Sequence, residues 1–236
     1  MRVLAHWLLV LSVPLLIISA TIGVAFNSLW IYTSGFAKYD VATEIGLSDA
    51  ELKRAARELI AYLNSPNRML LDINVTYDNG QSGPLYDRGA VEHMKDVKGL
   101  LWLNYSICLA TTVCVLLQVI VFWLKKRAML AWELAKSAWH GGLVTCGLLV
   151  CMALLAVTGF DSFFTKFHEI FFPYGNWIFY YDNHMVIMFP IGFWVDVVLL
   201  VGMAGMVLGA TVAGLGWWGL RYLRRREQAL VRDECV

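Results

Sequence analysis

Two histidines, His93 and His168, are the residues of this chain best suited to chemistry near neutral pH. Of such a pair, one neutral imidazole can accept a proton while the other, protonated, stabilises an oxyanion or a leaving alkoxide. Each has acidic neighbours: Glu92 and Asp96 for His93, and Glu169 for His168. On a helix Asp96 shares a face with His93 and can orient its ring, as can Glu92 through another rotamer. The alternative is that these residues are simply solvated.

The composition places these residues in a membrane protein. The chain has 236 residues, of which 59% are apolar, and a mean hydropathy of +0.60. Since a spanning helix needs roughly 20 apolar residues, the sequence predicts an all-α integral membrane protein with four transmembrane helices in a single domain, 1–236. The predicted spans are Val3–Tyr32, Gly99–Leu124, Gly141–Phe160 and a fourth that begins near Met185 or Val197 and ends at Leu220.

The basic residues predict the orientation of these spans. Lys and Arg accumulate beside spans on the cytoplasmic side, and here they flank the spans at Arg2, Lys125–Arg127 and Arg221–Arg226. Both termini are therefore predicted to be cytoplasmic. The segments 33–98 and 160–194 would then lie on the outer face.

Residues 33–98 form a loop too long to be a simple connection, and local signals predict a small mixed α/β cap. Ser48 followed by Glu51 is a capping box, and apolar residues at helical spacing predict a helix over Asp49–Leu63. Met69–Tyr77 reads as a short strand before an Asp-Asn-Gly turn, which favours a hairpin. Asp87 can cap a helix that runs directly into the second span.

Residues 160–194 form an aromatic-rich outer segment that contains His168. We expect 178–194 to be re-entrant or interfacial, because Val197–Leu220 is already long enough to span. Asp196 would then face the same site as His168. No cysteine lies in the outer segments and no serine stands in a nucleophile-elbow pattern, so direct attack by a group of the substrate is favoured over a covalent enzyme intermediate.

Metal and haem binding are rival interpretations of the histidines. His93, His168 and His184 with a carboxylate could hold zinc, but neither an HExxH pattern nor a paired-ligand spacing is present. The two main histidines are also too peripheral in the predicted topology to ligate a buried haem. No metal and no cofactor is therefore expected, and nucleic acid is not expected as a partner.

The chain resembles the bacterial lipoprotein intramolecular transacylase family over nearly its whole length. The resemblance rests on the residues at 93–98 (His-Met-Lys-Asp-Val-Lys), 167–172 (Phe-His-Glu-Ile-Phe-Phe), 176–177 (Asn-Trp), 189–190 (Phe-Pro) and 193–196 (Phe-Trp-Val-Asp). It implies four spans under an extracellular cap in the bacterial cell membrane. It also implies transfer of the sn-2 acyl chain of a diacylglyceryl lipoprotein to the α-amine of its N-terminal cysteine. By motif, the two catalytic histidines map to His93 and His168, while His184 departs from the family pattern.

The remaining candidate site residues are named beside these two histidines, with membrane lipid as a second partner. Intramolecular transfer needs its two reacting groups held together, so orientation is a major part of the catalysis. The supporting residues would be Asp96, Glu92, Glu169, Asp196 and Tyr86, and the substrate-binding residues Phe167, Phe171, Phe172, Trp177 and Trp194. The alternative is a non-enzymatic tetraspan scaffold or adhesion protein similar in outline to claudins. Those carry Trp and paired Cys in the first outer loop, and this loop has neither.

Overall fold

The computed structural model describes residues 2–67, 70–125 and 128–234. Met69, Lys126 and Arg127, which entered the sequence predictions, lie outside these ranges. In chain order the elements are α1 Arg2–Asn27, α2 Leu29–Lys38, α3 Val41–Ile45, α4 Asp49–Asn64, β1 Asn74–Thr76, β2 Ser82–Pro84, α5 Arg88–Lys125, α6 Ala128–Phe171, α7 His184–Met188 and α8 Ile191–Glu234.

Four of these helices contain stretches long and apolar enough to cross a membrane, which confirms the predicted number. The stretches are His6–Asn27, Arg88–Val121, Leu130–Phe171 and Ile191–Ala229. Three of them are considerably longer than the predicted spans. The hydrophobic run predicts where a helix is buried in lipid, whereas the helix itself continues until a cap or a proline ends it.

The helix starts show which local signals decided these boundaries. Asp87 accepts a hydrogen bond from the backbone N–H of Ala90 (2.7 Å), so α5 begins at Arg88 and runs straight into the second span, as predicted. The fourth span begins at Ile191, between the two predicted starts. Pro190 fixes this point, since proline disfavours helical backbone in the residue before it, and it separates α8 from the short α7.

The segment 33–98 contains the predicted helix and hairpin. The Ser48 side chain accepts from the N–H of Glu51 (3.2 Å) at the start of α4. Half of the capping box is therefore present, while the Glu51 carboxylate pairs with Arg54 instead of returning to the cap (2.6 Å). β1 and β2 pair antiparallel, with Val75 opposite Gly83. The first span is shorter than predicted, because the helix breaks at Ser28 and resumes as α2.

The contacts divide the chain into two compact units. Unit 1 comprises residues 1–21, 105–154 and 201–236. Its helices pack through glycines: a Cβ on Gly142 would meet the backbone of Gly209 and Ala213, and one on Gly216 would meet the backbone of Trp139. Small residues at such crossings let helix backbones approach closely. A histidine pair also lies here, and His6 Nδ1 is 2.7 Å from Ser137 Oγ and His6 Nε2 is 3.4 Å from His140 Nδ1.

Unit 2 comprises residues 22–104 and 155–200. An aromatic cluster forms part of its core, with ring centroids 5.3 to 6.5 Å apart; its members are Tyr32, Phe36, Phe189, Phe193 and Trp194. The apolar face of α4 is fully buried at Leu59 and Leu63, which are 2% and 0% exposed. Both histidines singled out from the sequence belong to this unit.

Candidate active site

His93 and His168 lie side by side in unit 2. His93 is in the second turn of α5 and His168 in the last turn of α6, and their ring centroids are 5.9 Å apart. Both are buried, with 7% and 8% of their surface exposed. Buried imidazoles this close can act on one small group between them. The two histidines that the sequence analysis paired, 75 positions apart in the chain, are therefore neighbours in the structure.

Aromatic rings surround the two imidazoles. Phe172 contacts both, with its centroid 4.8 Å from His93 and 5.3 Å from His168. Trp177 lies 4.9 Å from His168, and Phe179 lies 5.8 Å from His93. All three aromatic residues follow α6 within 172–179, which means that this short segment covers both histidines.

The histidines open onto one cavity of about 280 Å³. Its lining is mostly apolar and comes from several elements of unit 2: Phe26, Tyr32, Leu59, Leu63, Met94, Val97, Phe164, Trp177, Ile178, Phe179, Met185, Val186, Phe189, Ile191 and Trp194, together with His93 and His168. A mostly apolar cavity with a few convergent polar groups is the usual form of a small-molecule site. Here the polar groups are the two imidazoles and the Tyr32 phenol.

The hydrogen bonds of the two rings differ. His168 Nδ1 is 2.8 Å from the carbonyl oxygen of Phe164, one turn earlier on α6. A carbonyl only accepts, so Nδ1 of His168 carries the proton and Nε2 of the neutral ring is left as an acceptor. His93 Nδ1 is buried and has no hydrogen-bond partner in the part of the chain that the structure describes.

Asp96 lies beside the site but does not orient His93 as predicted. Its Oδ2 accepts a hydrogen bond from Asn176 Nδ2 (2.5 Å), which ties α5 to the segment after α6. The i to i+3 spacing placed Asp96 on the correct helical face. The spacing could not reveal that the side-chain amide of Asn176, 80 residues later, donates a hydrogen bond to this carboxylate.

The other predicted supporting residues bond elsewhere. Glu92 pairs with Arg88 (3.1 Å), and Glu169 pairs with Lys166 (2.6 Å). Asp196, expected to face His168, instead accepts from Lys38 (2.6 Å) and from the Tyr39 hydroxyl (2.8 Å). These carboxylates are partly exposed, and each has a nearer cationic partner than an imidazole.

The fifth supporting candidate, Tyr86, is buried away from the cavity lining. Its hydroxyl contacts the sulfur of Met188 (3.2 Å), and burial raises the pKa of this phenol above its usual range. Burial also raises the pKa of Tyr62 on α4, with a smaller contribution from the charge of Asp96. Both phenols thus keep their protons.

Three of the five predicted substrate-binding residues lie at the site. Trp177 and Trp194 line the cavity, and Phe172 packs against both histidines. Phe167 flanks His168 at 5.5 Å but is not part of the lining, whereas Phe171 is 46% exposed and directed away. Near the end of α6 successive residues point 100° apart, so neighbours in an aromatic run take different roles.

Hydrogen bonds connect the segment 172–183 and His184 to residues just before α5 and near its start. Asn176 donates to Asp96, and Asn183 donates to Asp87 (2.8 Å). His184 Nδ1 bonds the carbonyl of Leu85 (2.8 Å). The histidine that departs from the family pattern thus has a structural contact that helps hold the segment over the site.

Sequence reasoning missed three features of the site. The Phe164 carbonyl, which fixes the tautomer of His168, could have been anticipated from their i to i−4 spacing. The contribution of Leu59 and Leu63 to the cavity was visible only as the apolar face of a predicted amphipathic helix. No sequence signal identified Asn176 as the partner of Asp96.

The residues that the structure describes contain no group of three or more His, Cys, Asp or Glu side chains placed to hold a metal ion. The site therefore consists of two imidazoles, an aromatic enclosure and an apolar cavity. With four helices able to span a membrane, these features define a helical membrane protein with a candidate acid–base site.

The chain belongs to the lipoprotein intramolecular transacylase family. The model of that family, described as Lipoprotein intramolecular transacylase Lit, matches residues 7–194. The chain is accordingly a membrane enzyme of the acyltransferase class, and the scaffold alternative is set aside.

Similar proteins cover almost the whole chain. The membrane integral lipoprotein intramolecular transacylase Lit from Bacillus cereus matches with a TM-score of 0.76 at 19% identity, over 97% of this chain and 98% of that chain. A structure of the same protein with a histidine-to-alanine mutation matches with a TM-score of 0.71 at 18% identity, over 97% and 96%. An uncharacterized protein of Aquifex aeolicus (strain VF5) is 24% identical over 224 residues, which is 95% of this chain and 98% of that protein.

Proposed function

We propose that the enzyme moves the sn-2 acyl chain of a diacylglyceryl-modified lipoprotein onto the α-amine of the lipoprotein's own N-terminal cysteine. The observation that carries this proposal is the pair of buried imidazoles, 5.9 Å apart, on one apolar cavity. Amine and ester belong to one molecule, so the reaction needs proton transfer and orientation but no enzyme nucleophile.

His168 is proposed as the general base. Because its Nδ1–H donates to the Phe164 carbonyl, its Nε2 carries a lone pair. A neutral imidazole with a fixed tautomer is well suited to accept a proton from the attacking amine.

His93 is proposed as the general acid and oxyanion stabiliser. The amine nitrogen forms a bond to the carbonyl carbon while His168 takes a proton from that nitrogen. The bond between this carbon and the sn-2 oxygen then breaks, and His93 in its protonated form donates a proton to the departing oxygen. One N–C bond replaces one C–O bond, and an amide and a free glyceryl hydroxyl result. Proton exchange with solvent returns both rings to their starting forms.

The cavity would hold the reacting ester with the first part of its acyl chain. Phe172 and Trp177 exclude water from the imidazoles, and Leu59, Leu63 and Trp194 offer apolar contacts. An enclosure of this kind favours amine attack over hydrolysis of the ester, because water is the competing nucleophile. Membrane lipid would contact the apolar surfaces of the spanning helices.

The protein would be a multi-pass protein of the bacterial cell membrane, with both termini in the cytoplasm and residues 33–98 as an extracellular cap. The basic residues at the ends of the spans support this orientation. The site would then lie on the outer face of the membrane, where the N-terminus of an anchored lipoprotein is located.

Expression in a bacterial host that lacks the enzyme, followed by mass spectrometry of lipoprotein N-termini, tests the proposal. We expect lyso-form lipoproteins with an acylated α-amine and one acyl chain missing from the glyceryl group. Purified enzyme incubated with a synthetic diacylglyceryl lipopeptide should produce the same change of structure without change of mass. Unmodified diacylglyceryl N-termini in both experiments would refute the proposal.

A further inference from the structure

Three buried polar side-chain atoms have no hydrogen-bond partner among the described residues: the Tyr62 hydroxyl, His93 Nδ1 and Asn176 Oδ1. All three belong to side chains around Asp96. Asn176 donates to its carboxylate, the charge of Asp96 acts on Tyr62, and His93 lies three residues before Asp96 on α5. Buried polar atoms are rarely left unpaired, so a cluster of three beside a catalytic imidazole indicates groups that bond during function.

The chemistry of the contact fixes which atom of Asn176 is free. An ionised carboxylate only accepts hydrogen bonds, so the NH₂ group of Asn176 must face Asp96. Its Oδ1 is therefore left as a buried acceptor. The segment that carries it folds over His93, since Phe172 and Phe179 contact that ring from either side of Asn176 in sequence.

We propose that Asn176 is a positioning residue whose Oδ1 accepts the Nδ1–H of His93, with Asp96 holding the amide in place. This inference rests on the proposed function. A His93 ring that donates a proton to the leaving oxygen carries hydrogens on both nitrogens, and each needs an acceptor in an apolar site. Asn176 would supply the acceptor for Nδ1–H, so that Nε2–H points to the substrate.

The same arrangement explains how a buried ring can hold a proton. The imidazolium would donate to a neutral amide that is itself polarised by the Asp96 carboxylate, which brings negative charge toward the ring without a direct ion pair. The titratable groups around His93 and Asp96 are His168 on α6, Tyr62 on α4 and the Tyr32 phenol in the cavity.

Four variants separate a positioning role from simple attachment of the segment. Asn176→Ala removes the acceptor and the Asp96 contact. Asn183→Ala is the matched control, because it removes the other Asn-to-Asp hydrogen bond from the same segment. Asp96→Asn combined with Asn176→Asp exchanges the two groups, and Asn176→Asp alone places two carboxylates together.

We expect Asn176→Ala to lower kcat by about 10- to 100-fold with little change of KM, an effect typical of partners that orient a reacting ligand or side chain. Asn183→Ala should lose less than about threefold. The exchange variant should recover kcat to within about tenfold of the parent. In the pH profile of kcat, the decline on the alkaline side should move to higher pH in the exchange variant. The reason is that a carboxylate at position 176 stabilises the protonated form of His93, the form that acts as acid.

A readout that does not need activity is the side-chain ¹⁵N NMR spectrum of histidine-labelled protein in detergent, with His93 assigned through His93→Gln. We expect Nδ1 of His93 to be protonated in the parent and in the exchange variant, and the Nε2–H tautomer to grow in Asn176→Ala. An unprotonated Nδ1 in the parent would overturn the positioning role. The positioning role would also be overturned if Asn176→Ala and Asn183→Ala lost kcat equally and neither variant shifted the pH profile of kcat.

The two proposals fail in different ways. A parent that leaves diacylglyceryl lipopeptide unchanged, yet shows the Asn176-dependent tautomer of His93, would refute the acyl transfer and retain the hydrogen bond. If the parent is active but substitution of Asn176 changes neither the His93 tautomer nor the pH profile of kcat, only the positioning role would be refuted.

Discussion

The molecule contains two histidine pairs of similar separation and different surroundings. In unit 2 the ring centroids of His93 and His168 are 5.9 Å apart, and in unit 1 those of His6 and His140 are 5.5 Å apart. His6 Nδ1 bonds Ser137 and lies 3.9 Å from Glu133, and His6 Nε2 contacts His140, so both ring nitrogens have polar partners. His93 lies against aromatic rings, and its buried Nδ1 has no hydrogen-bond partner among the residues that the structure describes.

The distance between two imidazoles therefore does not by itself define a site. The pair in unit 2 lines a cavity of about 280 Å³, and the pair in unit 1 does not contribute to that lining. Histidines whose nitrogens are satisfied by neighbouring side chains connect helices, whereas histidines with an acceptor or donor left for a substrate can transfer protons.

The largest effect is expected from the two histidines proposed as acid and base. His93→Ala and His168→Ala should each reduce lyso-form production by about 10²- to 10⁴-fold, the usual contribution of a positioned acid or base. Turnover of a diacylglyceryl lipopeptide by purified variants measures this loss. Folding is checked by the melting temperature in detergent. Full activity of either variant would remove that residue from the mechanism.

The aromatic enclosure should matter next. Trp177→Ala opens one side of His168 to water and should lower transfer by about 10- to 100-fold while raising the proportion of free fatty acid released. Phe171→Ala is the control, since its ring is 46% exposed and does not line the cavity. Simultaneous assay of N-acylation and hydrolysis measures both products. An unchanged product ratio in Trp177→Ala would contradict the water-exclusion role.

The unit 1 pair should affect stability more than activity. His6→Ala removes the hydrogen bond to Ser137 and should lower the free energy of unfolding by about 1 kcal/mol, the net value of one such bond. Transfer by the folded variant should stay within about threefold of the parent. Ser137→Ala removes the same hydrogen bond by deleting the other partner, and it should change the free energy of unfolding and transfer by similar amounts. A loss of transfer comparable to that of His93→Ala would abolish the distinction between the two pairs.

The smallest effect at neutral pH is expected for Tyr86→Phe. Burial raises the pKa of Tyr86 in the folded state above the unfolded value of about 10. Its contribution is therefore complete below pH 10 and is lost as pH rises further, because the unfolded chain releases the proton first. At pH 8 the variant should have the melting temperature of the parent. Between pH 8 and pH 11 its melting temperature should fall less than that of the parent. Tyr174→Phe, whose ring is 90% exposed, is the control.

Local signals predicted most of the fold because they act over a few residues. The caps at Ser48 and Asp87, the hairpin around 78–80 and the four spans depend on neighbours in sequence, and the structure contains each of them. The ends of the spans were less accurate. Hydropathy averages over a window, whereas Pro190 and the break at Ser28 act at single residues.

The site was predictable in its residue types and only partly in its contacts. His93, His168, Phe172, Trp177 and Trp194 were placed together from their motifs and from the apolar pattern around them. The partners of Glu92, Glu169 and Asp196 were not foreseen, since a carboxylate pairs with the nearest cation or donor that folding provides.

The sequence by itself determined a four-span membrane protein with two histidines among aromatic residues, because composition, periodicity and caps are properties of short stretches. Only the tertiary structure decided that the rings lie 5.9 Å apart on one cavity, that Phe164 fixes one tautomer and that Asn176 takes up Asp96. These contacts join residues from separate helices, and a hydrogen bond or an enclosure depends on distances of a few tenths of an ångström that no spacing in sequence specifies.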